Sequence, residues 1–67
     1  MALSDMANGY LDGRDKDAPE PNANRTHSYR HGFMVGRNEL KKPFKPLGPF
    51  EQVEAWANEA LQKDMVA

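Results

Sequence analysis

Apolar positions along this chain recur at helical spacing. Met6, Tyr10 and Gly13 lie four and three residues apart, and Tyr29, Phe33, Gly36 and Leu40 lie four, three and four apart. That is the period of one helix face. The first set predicts a helix over 4–14, with Ser4 able to cap it and Asp5 favourable in its first turn. The second predicts a helix over 25–41, capped by Asn24 or Thr26. Between them, residues 15–24 carry Pro19, Pro21 and four Asx residues, so they read as a loop with extended backbone before each proline. Pro43, Pro46, Gly48 and Pro49 end the second helix and make 42–49 a stiff linker. Pro49 suits the first turn of a third helix over 50–65. Its apolar face is Phe50, Val53, Ala57 and Ala60 or Leu61, with Trp56 at the margin as the expected core anchor. No convincing strand is present.

The first two helices share a motif. Gly9-Tyr10-Leu11-Asp12-Gly13-Arg14 returns 23 residues later as Gly32-Phe33-Met34-Val35-Gly36-Arg37, and these copies hold four of the five glycines. Glycine inside a helix costs about 1 kcal/mol relative to alanine, so four of them need a reason. Glycines four apart share a helix face and let a partner backbone approach closely. The expected fold is therefore all-α and a single domain: an antiparallel hairpin of the two copies, then an amphipathic helix that folds back or docks on a partner. Tyr10 and Phe33 have the period of core residues, although either ring could also stack on an unpaired base.

Composition narrows the class. With 67 residues and 39% hydrophobic content, the core is small and stability marginal. The absence of cysteine leaves no disulfide framework and no thiolate zinc site, which fits a cytoplasmic setting. No apolar run approaches the roughly 20 residues of a membrane span, and the first residues lack the basic and apolar regions of a signal peptide. Net charge is −1 but unevenly placed: residues 1–24 sum to −3, residues 25–46 to +5 and residues 47–67 to −3. A basic centre between acidic ends can meet an anionic surface locally, or the three blocks can neutralise one another.

At about 100° per residue, Arg30, Arg37 and Lys41 cluster on the second helix beside its apolar face. Such a stripe suits phosphate contact, or is simply a solvated face. Arg14 and Arg37 occupy equivalent places in the two copies. They could flank a shared anion, or pair with Asp12, Asp15 or Glu39. His27 and His31 have helical metal-pair spacing, but no cysteine or third histidine completes a site. Ser4 and Ser28 lack a base-and-orienter setting, and no dinucleotide or phosphate-loop pattern follows a strand. No catalytic residue, metal or cofactor is expected.

The stretch from Gly9 to Leu40 resembles the ribosome modulation factor family, through Gly9-Tyr10, Gly13-Arg14, the proline-containing loop, Tyr29, Gly32-Phe33 and Gly36-Arg37. These small bacterial proteins bind the small ribosomal subunit and promote inactive ribosome dimers. The resemblance implies a ribosome-associated regulator, with Arg14, Arg25, Arg30, Arg37 and Lys41 on rRNA phosphate. His27, Lys42 and Lys45 extend the candidate nucleic-acid surface. The alternative is a small phage or mobile-element inhibitor, such as an anti-CRISPR, that occupies a host protein complex. There the acidic ends mimic nucleic acid, and Phe50 and Trp56 anchor a protein interface.

Overall fold

The structure is a computed structural model that describes residues 2–43 and 45–66; Phe44, within the expected linker, lies outside the described residues. The protein is all-α. Three helices follow in order: α1 (Ala2–Gly13), α2 (His27–Asn38) and α3 (Phe50–Val66). Helix α1 begins before Ser4, so Ser4 lies within the helix and does not cap it. Thr26 caps α2: its backbone is extended and its hydroxyl accepts from the Tyr29 N–H at 3.1 Å. The helix ends at Asn38, earlier than the expected Lys41, and residues 39–43 continue as turns and bends.

The glycine motif works as its spacing implies. A methyl group at Gly9 would overlap the Tyr29 carbonyl oxygen, and one at Gly32 would overlap that of Met6. Gly13 meets Phe33, and Gly36 meets Tyr10, in the same way. Met6 and Tyr29 are themselves one repeat apart, as are Tyr10 and Phe33. The contact is thus reciprocal, like the self-complementary interface of a two-fold dimer built within one chain.

The direction of the pair departs from expectation. Moving from Gly9 to Gly13 along α1 moves the contact from Tyr29 to Phe33 and then Arg37 along α2. The starts of the helices meet through Thr26 and Asp5 (3.2 Å), and their ends through Arg37 and the Gly13 carbonyl (3.1 Å). The two helices run parallel and do not form an antiparallel hairpin. The physical reason is the connection. A 12-residue helix spans about 18 Å, whereas residues 14–26 can reach roughly 40 Å when extended. The loop is long enough to return along the whole pair, where an antiparallel hairpin needs only a short turn.

Around the seam the core is small. Tyr29 and Phe33 are buried, with ring centroids 6.4 Å apart, and Met6, Tyr10 and Leu40 are half-buried. Helix α3 folds back and rests mainly on α2. Only Ala60 is buried there among the described residues, with Val53, Ala57 and Leu61 half-buried. Two expectations for α3 fail. Trp56 is 37% exposed and Phe50 76% exposed, because the side of α3 that is buried among the described residues is its Ala60 edge.

Candidate nucleic-acid interface

The basic residues separate by what holds them. Arg37 is committed to the fold. Its Nε donates to the Gly13 carbonyl (3.1 Å), its Nη2 to the carbonyls of Ala18 (2.6 Å) and Asp15 (3.3 Å), and its guanidinium lies 4.8 Å over the Phe33 ring. One side chain thus satisfies the last carbonyl of α1, where helical acceptors lack partners, and pins the returning loop. Arg14, its repeat equivalent, instead pairs with Glu39 at 2.8 Å and donates to the Tyr10 hydroxyl at 3.1 Å. That hydroxyl donates in turn to Glu39 at 2.7 Å. The Arg14 pKa is raised, first by the Tyr10 hydroxyl and then by the Glu39 carboxylate. Of the two alternatives, Arg14 takes the ion pair with Glu39, and Arg37 takes backbone carbonyls instead of a carboxylate.

The remaining cations are freer. Arg25 lies 4.2 Å over the Tyr29 ring, on the exposed approach to α2. His27 stands at the exposed start of α2, with its Nδ1 3.1 Å from Arg30 Nη2. Arg30 Nε is buried without a hydrogen-bond partner among the described residues. Lys41, Lys42 and Lys45 are exposed and form no ion pair among the described residues.

Three of the predicted residues converge. Arg30, Arg37 and Lys41 line a groove of about 390 Å3 whose apolar surface comes from Phe33, Met34 and Leu47. Glu20, from the returning loop, stands on the same groove. Asn38 is buried beside it and donates through Nδ2 to the Lys45 carbonyl (2.9 Å), which ties the basic linker to the end of α2. Arg25 and His27 lie outside this groove, towards the start of α2.

The expected protein anchors lie elsewhere. Phe50 borders a larger apolar groove of about 600 Å3 between the helices, together with Met6, Tyr10, Leu11 and Val53. Trp56 sits instead at the α2–α3 seam, near Arg30, His31 and Met34. Burial at that seam holds the His31 pKa below the usual histidine value.

Two contributors carried no local signal. Asp64 reaches from the end of α3 to accept from the His27 and Ser28 N–H groups, both at 2.8 Å. It supplies a negative charge to the N-terminus of α2, where anions are favoured. Its pKa is held below the ordinary carboxylate value by the adjacent Ser28 side chain and by those backbone N–H groups; the N–H groups make the hydrogen bonds, since the Ser28 hydroxyl has no partner among the described residues. Glu20 was hidden in a loop whose path the sequence does not specify. The Asp12 carboxylate accepts from the Tyr29 hydroxyl, which raises the Tyr29 pKa. Among the described residues no group of three or more ligating side chains could hold a metal ion. No described helix is long and apolar enough to cross a membrane. Scans against protein-family models, curated proteins and solved structures found no match.

Proposed function

We propose that this protein is a non-enzymatic, cytoplasmic RNA-binding regulator that acts on the ribosome through α2 and the basic linker after it. The observation that carries this reading is the convergence of Arg30 and Lys41 on one groove, beside the fold-bound Arg37, followed directly by exposed Lys42 and Lys45. Cations on one surface neutralise phosphates and release counterions. The likeness of residues 9–40 to ribosome modulation factors points to rRNA as the partner.

Ribosome co-sedimentation and RNA titration over a range of salt test this. About four phosphate contacts on single-stranded RNA give a log–log salt slope of about −3. Reversing Arg30 and Lys41 to Glu should abolish co-sedimentation. Arg37 is left out of that variant because its loss would damage the fold. Unchanged sedimentation ends the reading.

A second reading, a protein-binding inhibitor, is favoured by a different observation: the apolar groove bordered by Phe50 and Leu11, which are 76% and 65% exposed. Exposed apolar surface of this kind marks partner sites. Leu11→Lys with Phe50→Lys should then abolish capture of a protein partner and leave RNA binding intact.

A further inference from the structure

We infer that the groove beside α2 seats one unpaired nucleobase, with guanine preferred, so that the protein engages single-stranded rather than duplex RNA. This rests on the RNA-binding reading above and adds the class of ligand to it.

Duplex binding through phosphates alone needs a basic surface and no concavity. Here the cations surround a hollow of about 390 Å3, inside the range of about 300–1,000 Å3 usual for ligand pockets. Its apolar lining suits the flat face of a base: Met34 is 41% exposed, with half-buried Pro21 and Leu47 beside it. Bases held in a duplex cannot reach such a surface, whereas unstacked bases seek apolar and aromatic ones.

The charges are placed for a single nucleotide. Along α2, Arg30 lies about 6 Å before Met34, and Lys41, just past the end of the helix, lines the same groove. A base resting on Met34 therefore has Arg30 before it and Lys41 after it in sequence for the phosphates that flank it, while Arg37 stays on its three carbonyls.

Glu20 supplies selectivity. It forms no ion pair among the described residues, although it shares the groove with three cations. A carboxylate there repels backbone phosphate, but it accepts hydrogen bonds from the edge of a base. Two carboxylate oxygens match two adjacent N–H donors. On the Watson–Crick edge guanine presents such a pair, whereas adenine, cytosine and uracil each present one donor group.

The test uses the full chain and short fluorescein-labelled RNAs of three kinds: all-uridine, uridine with one central guanosine, and a duplex of equal length. Binding is read by anisotropy at low salt. Single strands should bind about tenfold more tightly than the duplex, and the guanosine strand more tightly than the all-uridine one. Met34→Ala should erase the single-strand advantage and leave duplex binding unchanged. Glu20→Gln should erase the guanosine preference, and because it removes a charge that repels phosphate, all-uridine RNA should bind at least as tightly as it does to wild type. Both residues are exposed, and circular dichroism checks that each variant retains its helices. If no RNA binds, the RNA reading itself fails. If RNA binds but duplex and single strand are equal, or neither variant changes the pattern, the base seat is overturned while phosphate binding stands.

Discussion

The α1–α2 pair and α3 are attached to the same molecule by opposite means. Between α1 and α2 the contact is backbone against backbone, and four glycines leave no room for a methyl group. Between α3 and α2 the contact is made by side chains, with one buried alanine and the Asp64 carboxylate on two N–H groups. A backbone contact cannot rearrange, because a carbonyl moves only if its whole helix moves. A side-chain contact adjusts by changing rotamers. The first should be rigid and intolerant of substitution, the second tolerant and releasable.

The largest effect should come from the glycines. Gly32→Ala gains about 1 kcal/mol of helix propensity but drives a methyl into the Met6 carbonyl. Overpacking costs about 1–3 kcal/mol even against side chains, and here the obstacle is backbone. A net loss of about 2 kcal/mol, in a domain whose core supplies only about 3–5 kcal/mol, should appear as a large drop in the urea midpoint. Gly9→Ala should match it, since the two positions are equivalent. A midpoint that rises would break the comparison at its root.

Arg37→Ala comes next. It strips three carbonyls of a charged donor. Hydrogen bonds to charged groups are worth about 1.5–3 kcal/mol each, but the side chain is only half-buried, so about 1–2 kcal/mol in total is expected. Arg37→Lys cannot span the three acceptors and should recover little. Hydrogen exchange should show the loss concentrated in residues 14–26.

Asp64 tests the other side of the comparison. Asp64→Ala should free α3, seen as a change in Trp56 fluorescence and faster exchange along 50–66, while α1 and α2 keep their protection. Acid should do the same reversibly. The folded pKa of Asp64 lies below the ordinary 3.8, so its contribution is complete above that value and disappears as pH falls through the lower folded value. Wild type should therefore lose α3 docking only below about pH 4, and Asp64→Ala should show no such step. Loss of α1–α2 protection together with α3 would show that the three helices form one cooperative unit.

The smallest effect sharpens the contrast. A methyl at Gly48 meets only the Gln52 side chain, at 3.7 Å, which is ordinary contact. Gly48→Ala should stay within about 0.5 kcal/mol of wild type. Glycine is thus critical in this chain only where it faces a backbone.

Much of this was legible in local sequence. The spacing of Tyr29, Phe33 and Gly36 identified a buried face, and the repeat identified a mated pair. Among the basic residues, Arg30, Arg37 and Lys41 share one groove, although Lys41 reaches it from past the end of α2 and not by helical period. The helical period could not distinguish Arg37, bound to the last carbonyl of α1 and to two carbonyls of the returning loop, from Arg30 and Lys41, because that difference is made by the path of residues 14–26. Trp56 and Phe50 were misplaced for a related reason. A helix of 17 residues with a modest apolar stripe can rest on any of several edges, and Asp64 at its far end selects one.

The sequence by itself determined three helices and the pair of surfaces that must meet without side chains between them. Each of these follows from steric or hydrogen-bonding rules that act within a few residues. Tertiary structure alone decided that the pair runs parallel, that Asp64 closes the start of α2, and that Glu20 joins the basic groove. An absent side chain states how near two helices can come but not in which sense they run, and that choice falls to a loop whose course is set only once the whole chain is packed.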